Sequence, residues 1–272
     1  MPAPSRRAAP RAALALTIAL AAAACATRPD PADPEAVAEY AAANDPIEPL
    51  NRASLAVTYA VDTLVLRPAA EAYSILLPPP VRTGIRNALG NLRSPVILAN
   101  NLLQGDTDRA ATTLGRFLLN STVGVGGLFD VAAAWGLPGR AEDFGQTFAL
   151  WGIPEGPYLF LPVLGPSNPR DLAGFGADIA ANPITWIGGG DAWIAATRTR
   201  DALTALDTRE ALIEPVDAVM STALDPYSVI RSAYRQRRAA EIAGRGNAPP
   251  AAPGTGFGVG MGMGAGDMAP QR

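Results

Sequence analysis

The stretch DTDRAATTLGRFLLNSTVGVGGLFD, residues 106–130, contains a helix start, an amphipathic helix and a helix break. Asp106 is of the residue type that caps helix N-termini. The apolar residues that follow share one helical face: Ala110, Leu114, Phe117 and Leu118. The glycines that end the stretch interrupt the helix, so short helices that turn around one another are expected here. The face is expected to pack in the core, and the alternative is a helix lying in a membrane interface.

The same pattern recurs outward from this stretch. Asn168-Pro169 is a helix start, and Asn182-Pro183 ends the helix that follows. Asp191 opens a long helical stretch through Ile213, which Pro215 is expected to kink or interrupt. A further helix is predicted over residues 227–240. Strand-like alternation is scarce, so the fold class is predicted as all-α without a conventional sheet.

The N-terminal residues 1–24 have the pattern of a lipoprotein signal peptide. Arg6, Arg7 and Arg11 precede a short apolar run at 12–24, and small residues lead to Cys25, the only cysteine. The run is too short to span a bilayer, since a spanning helix needs roughly 17–25 residues. We expect cleavage before Cys25 and lipidation of its sulfur; the alternative is an ordinary secretory peptide. Residue 26 is alanine, which favours the outer membrane.

Two segments flank the predicted helical domain of residues 45–243. Residues 25–44 are rich in Ala, Pro and acids, and are expected to tether the lipid to the domain, with a helical turn or two over 35–43. Residues 244–272 are rich in Gly, Pro and Met and nearly uncharged, and are expected to be disordered. The glycine repeats there are not a phosphate loop, because no strand or helix flanks them.

The residue inventory excludes many chemistries. The chain has no histidine, and its 22 basic residues are all arginine. The commonest general base, Schiff-base lysines and most zinc sites are therefore absent, and neither a metal nor a cofactor is expected. The inventory does not exclude an enzyme whose catalytic groups are the carboxylates of Glu142 and Asp143, although adjacent acids point to different sides of a strand or helix. Loss of residues 1–24 would change the net charge from −3 to −6, which disfavours nucleic acid.

The chain is unusually apolar. Hydrophobic residues are 49% and charged residues 17%, against roughly 25% charged in typical domains. No segment after residue 24 has 18 uninterrupted apolar residues. The chain therefore has either an unusually large core or an apolar surface that faces lipid.

Several local strings extend from residue 45 to about residue 240. They are DPIEPLNR (45–52), PVRTGI (80–85), NNLLQGD (100–106), RFLLNSTVGVGGLFD (116–130), EDFGQT (142–147), WG (151–152), GPYLFLP (156–162), GPS (165–167) and DPY (225–227), with Arg231, Tyr234 and Arg237. In order and spacing these strings resemble the MlaA (VacJ) family of outer-membrane phospholipid-transport lipoproteins.

The resemblance implies a single ring-like domain of short amphipathic helices around a central channel, lying in the periplasmic leaflet of the outer membrane. Phospholipids that strayed into the outer leaflet would leave through this channel. The implied partners are phospholipid, a trimeric outer-membrane porin and a soluble periplasmic lipid carrier. The alternative of another class is a structural lipoprotein that docks on porins without transport.

The resemblance also suggests residues for the channel. Asn51 and Arg52 belong to the first matched helix, whose family counterpart is associated with the channel. Arginine suits phosphate because its planar fork bonds bidentately. The candidates for such a role are Arg52, Arg67, Arg82 and Arg116, and the alternative for each is a surface or core ion pair. Gly124, Gly126 and Gly127 form either a mobile turn that gates the channel or a tight inter-helix loop.

Overall fold

The computed structural model describes residues 32–244. The predicted signal peptide, Cys25 and all but the first residue of the predicted tail lie outside this range. The helices are α1 (Pro34–Ala43), α2 (Glu48–Val61), α3 (Arg67–Leu76), α4 (Pro79–Leu103), α5 (Thr107–Thr122), α6 (Val131–Ala134), α7 (Phe144–Leu150), α8 (Pro169–Ala181), α9 (Ile184–Ile187), α10 (Asp191–Ala211), α11 (Ile213–Thr222) and α12 (Pro226–Ala243). The all-α prediction is confirmed.

The exception to helix within the described range is a small antiparallel hairpin. Strands β1 (Leu159–Leu161) and β2 (Gly165–Ser167) pair with Phe160 opposite Pro166. Val163 and Gly165 adopt positive φ angles of 67° and 89°, which turns the chain sharply between strands of three residues each. Strands this short leave no alternation that a sequence pattern could detect.

The predicted helix starts are confirmed by their caps. The Asp106 carboxylate accepts a hydrogen bond from the Arg109 backbone N–H at 3.0 Å, and the Asn168 side chain accepts one from Asp171 N–H at 2.8 Å. The long helix expected from Asp191 to Ile213 ends at Ala211, and Pro215 lies in the first turn of α11. The break precedes the proline because a proline is tolerated in a first turn, where its missing N–H is not needed.

A π-helical segment, Asp62–Leu66, joins α2 to α3. Asp62 is buried in this segment, and Arg209 of α10 donates to both of its oxygens, with Nη2 at 2.7 Å from Oδ2. This ion pair fixes α10 against the α2–α3 junction. The neighbouring α4 packs on α5, and α7 packs on α8 and α12.

Polar residues fill much of the interior and apolar residues cover much of the surface. In α5 the buried residues are Ala110, Thr113 and Asn120, whereas Leu114 and Leu118 are about half exposed at 43% and 53%. The expectation that the apolar face of this helix packs in the core is therefore wrong for these leucines. The aliphatic stripe faces outward because the inward positions are taken by residues that hydrogen-bond to neighbouring helices.

One cluster of buried apolar residues joins α2, the hairpin region, α11 and α12. Its members are Leu55, Tyr158, Phe160, Val219, Tyr227 and Ile230. Among residues 32–244 no helix combines the length and the hydrophobicity needed to cross a bilayer.

Candidate functional site

A cavity of about 620 Å³ lies between α4, α5 and the segment that runs from Asp130 to Ala141. Small and polar residues of α4, among them Gly90, Asn91 and Ser94, line one wall. Ser94 follows Asn91 by three residues and Gly90 by four, which places the three residues on one helical face. Ile97 and Leu137 supply apolar lining. The cavity therefore combines polar and apolar walls.

Arg116 and Asp130 hold the segment that closes the cavity. The Arg116 guanidinium donates to Asp130 Oδ2 at 2.8 Å and to the Leu137 carbonyl at 2.6 Å. Asn120 donates to Asp130 Oδ1 at 2.9 Å. Burial opposes ionisation of Asp130, but the hydrogen bonds from Arg116 and Asn120 outweigh it and hold its pKa below the ordinary value. Arg116, a candidate from the sequence, thus lines the cavity and positions its wall.

Two further arginines line the cavity without an ion pair. Arg93 of α4 and Arg140 of the closing segment are half-buried, and neither lies within 4 Å of a carboxylate. Within residues 32–244 the only other arginine without an ion pair is Arg198, which is exposed on α10. Sequence reasoning missed Arg93 and Arg140, because the absence of a partner is a property of the fold.

The glycine turn lies beside this cavity. Gly127 has φ +92°, and a Cβ there would lie 2.5 Å from Cβ of Asn91, which lines the cavity. A Cβ on Gly124 would lie 2.3 Å from the Phe129 carbonyl oxygen. Gly126 has φ +70° and open space around it. Absence of side chains at 124 and 127 is therefore required for the close packing of this turn on α4 and on itself.

Asn51 and Arg52 lie elsewhere. Asn51 is buried, donates to Asp45 Oδ1 at 2.7 Å and to the Tyr158 carbonyl at 3.1 Å, and accepts from Phe160 N–H at 2.8 Å. It therefore joins α2 to the hairpin and does not line the cavity.

Arg52 is half-exposed at the surface of α2. It bonds Glu48 at 2.7 Å and both oxygens of Asp225, at 3.0 and 2.7 Å, and its guanidinium lies 4.4 Å from the centre of the Tyr227 ring. The other two arginine candidates are similarly committed, Arg67 to Glu71 and Asp217, and Arg82 to Glu210. Of the four arginine candidates, the structure brings only Arg116 to the cavity.

The two adjacent acids that sequence reasoning considered for catalysis bind separate arginines. Glu142 accepts from Arg109 at 2.9 Å, and burial raises its pKa above the ordinary value. Asp143 accepts from Arg238 at 2.7 Å; burial opposes its ionisation, but Arg238 outweighs this and holds its pKa at about 2. Residues 32–244 contain no group of three or more acidic residues that could hold a metal ion.

A buried polar cluster next to α7 was not predicted. Arg238 of α12 also donates to Asp171 Oδ2 at 2.8 Å, and the Tyr234 hydroxyl donates to the same oxygen at 2.7 Å. Gly145 and Gly174 allow α7 and α8 to meet there, since a Cβ on Gly174 would lie 2.3 Å from the Gly145 nitrogen.

Comparison with known proteins gives consistent matches over this domain. A family model described as "MlaA lipoprotein" matches residues 43–241. The chain is 34% identical over 198 residues to the "Intermembrane phospholipid transport system lipoprotein MlaA" of Escherichia coli strain K12, covering 71% of this chain and 76% of that one. It is 31% identical to the protein of the same name from Haemophilus influenzae, covering 71% and 77%. An uncharacterized protein of Rickettsia bellii is 35% identical, covering 73% and 76%.

A solved structure also matches. Its description is "Structural basis for maintenance of bacterial outer membrane lipid asymmetry", and the match has a TM-score of 0.63 and 32% identity, covering 73% of this chain and 98% of that chain. The family match spans the cavity, the hairpin and the buried arginine cluster alike. The chain therefore belongs to the MlaA lipoprotein family.

Proposed function

We propose that this protein is an outer-membrane lipoprotein that removes phospholipids from the outer leaflet and passes them to a periplasmic carrier, maintaining lipid asymmetry. The observation that carries the proposal is the cavity of mixed polarity within a helical domain that exposes many large apolar side chains. A phospholipid is amphiphilic, so its conduit needs polar groups for the headgroup beside apolar walls for the chains. The names of the relatives support the same substrate class.

Residence in one leaflet is supported by the outer surface. Large apolar side chains are strongly exposed, among them Leu64 at 77%, Ile75 at 81%, Trp186 at 72% and Leu224 at 108%. Exposed apolar surface on this scale is unfavourable in water and favourable against acyl chains. An amphipathic protein lying in the interface would be held by this surface together with the acyl chains expected on Cys25.

The partners follow from the family. We propose that a trimeric porin holds the domain in the outer membrane and that a soluble periplasmic carrier accepts the lipid. No part of this scheme uses a catalytic step, a cofactor or nucleic acid. Gly124, Gly126 and Gly127 are proposed as a tight inter-helix loop at the edge of the cavity rather than as a mobile gate, since Gly127 packs closely on Asn91 of the cavity wall.

The test is deletion of the gene followed by complementation. The deletion strain should accumulate phospholipid in the outer leaflet and become sensitive to detergent, and the wild-type gene should restore both properties. Unchanged outer-leaflet lipid in a clean deletion would contradict the proposal. Cys25→Ala should lose outer-membrane location and bound porin together.

The structural alternative is a scaffold that only docks on porins. Photo-crosslinking from positions on the apolar surface separates the two functions. Crosslinks to both phospholipid and porin support transport, whereas crosslinks to porin alone support the scaffold.

A further inference from the structure

We propose that Arg93 and Arg140 form a binding site for the phosphate of a lipid headgroup, and that this site favours anionic over zwitterionic headgroups. The inference rests on the proposed function and deepens it by naming the residues and the headgroup class. It starts from the pairing of arginines. Within residues 32–244 every arginine except Arg93, Arg140 and Arg198 forms an ion pair, and two of these three line one cavity.

A half-buried guanidinium without a carboxylate retains five N–H donors and a full positive charge. Holding such a group away from bulk water carries a desolvation cost that an anion in the cavity would offset. Arg93 and Arg140 approach the cavity from different elements, α4 and the closing segment. A phosphate between them would receive charge-assisted hydrogen bonds from both walls.

The charges around the cavity define which anion fits. Asp130 is the only carboxylate among the lining residues, and it is already bonded by Arg116 and Asn120. The ammonium of a zwitterionic headgroup would therefore find no free carboxylate in the lining. The lining therefore suits a phosphodiester whose remaining headgroup carries no positive charge.

Asp143 and Asp178 are not among the lining residues, although they lie near enough to Arg93 to interact with its charge. Asp143 is bonded to Arg238 on both oxygens, at 2.8 and 2.7 Å. Asp178 accepts from Asn100 and from Phe144 N–H. Neither carboxylate forms a contact ion pair with Arg93, so its donors stay available to the cavity.

The experiment uses the mature, acylated protein purified in non-ionic detergent. It is incubated with mixed micelles containing equal amounts of phosphatidylglycerol and phosphatidylethanolamine, and the retained lipids are quantified by mass spectrometry. The variants are Arg93→Gln, Arg140→Gln and the double variant. Arg198→Gln is the matched control, because it removes an equally unpaired arginine that lies outside the cavity.

Wild type and Arg198→Gln should retain more phosphatidylglycerol than phosphatidylethanolamine. The double variant should retain about tenfold less phosphatidylglycerol, as expected for the loss of hydrogen bonds to a charged group. Its retention of phosphatidylethanolamine should fall less, because that lipid shares the phosphate but carries an ammonium that the two arginines repel. Since neither side chain holds an ion pair, its melting temperature should stay near wild type, and Arg93→Lys with Arg140→Lys should restore most of the binding.

Two results would overturn the inference. If wild type and double variant retained equal amounts of both lipids, the protein would still bind lipid, and only the proposed headgroup site would be contradicted. If the wild type retained neither lipid, the proposed function would be contradicted as well.

A further arm separates lipid from a free anion. Inorganic phosphate without lipid should raise the melting temperature less than phosphatidylglycerol does, with both effects lost in the double variant. Stabilisation by phosphate alone that equals that by the lipid would mean a site for free anions and contradict the headgroup assignment.

Discussion

Replacing Asp178 by asparagine should remove a pH dependence of stability that this one carboxylate causes. Asp178 lies on α8, and its Oδ1 accepts from Asn100 Nδ2 at 3.3 Å and from Phe144 N–H at 3.2 Å. Burial, followed by repulsion from Asp143, raises the pKa of Asp178 from 3.8 to about 7. Both hydrogen bonds go to one oxygen, so an asparagine can accept both with its own Oδ1.

The magnitude follows from the pKa shift. A rise of about three units corresponds to about 4 kcal/mol at most, since each unit is worth about 1.4 kcal/mol. The folded state binds the proton more tightly than the unfolded state does. The stabilisation is therefore complete below pH 4 and is lost as the pH rises through 7. Asp178→Asn is neutral at every pH, so it should keep the stability that the wild type loses.

Tryptophan-fluorescence melting of the mature protein in non-ionic detergent, from pH 5 to pH 8, measures this effect. At pH 8 the variant should melt about 8–16 °C above wild type, given about 2–4 °C per kcal/mol for a domain of this size. The difference should shrink towards pH 5. Asp201→Asn, at an exposed carboxylate, is the matched control and should follow the wild type. Parallel curves for Asp178→Asn and wild type would refute the reasoning.

Two further predictions concern the packing around α7 and α8. Gly174→Ala should destabilise the domain by about 1–3 kcal/mol, because the new Cβ would clash with the Gly145 backbone. Gly176→Ala on the same helix is the matched control; its Cβ would lie in open space, and it should stabilise the domain by about 0.5–1 kcal/mol. Equal melting temperatures for the two alanine variants would contradict this helix contact. Arg238→Met should cost about 3–5 kcal/mol at pH 7, because it leaves Asp143 buried without an ion-pair partner and removes one of the two arginines that bind Asp171, the other being Arg170. Without Arg238, burial raises the pKa of Asp143, so its protonation at pH 3 should make the loss smaller there. An equal loss at both pH values would argue against the Arg238–Asp143 ion pair.

Sequence signals predicted the helices well because their causes are local. Asp106 and Asn168 cap the helices that they were expected to start, since a cap bonds an N–H only three residues away. The outward orientation of Leu114 and Leu118 was not predictable in this way. Periodicity shows that two residues share a face, but the surroundings of that face depend on the other helices and on the solvent.

The candidate site was predicted only in part for a similar reason. Arg116, which begins the string RFLLNSTVGVGGLFD, was identified as a phosphate-binding candidate, and it lines the cavity. Asn51 belongs to an equally clear string but joins α2 to a hairpin that lies more than a hundred residues later. Arg93 and Arg140 differ from the other arginines only in lacking a carboxylate neighbour, and such a difference exists only in three dimensions.

The cohesion of this domain explains why those two arginines matter. If its apolar surface faces lipid, burial of that surface contributes little to holding the helices together, because acyl chains are as apolar as leucine. Buried ion pairs such as Arg209–Asp62 and the Arg238 cluster then fix the relative positions of the helices. Arginine suits this role, since its fork bonds two carboxylate oxygens at once. In a fold that pairs its arginines so consistently, two half-buried guanidinium groups left open towards one cavity favour a ligand that supplies the missing anion.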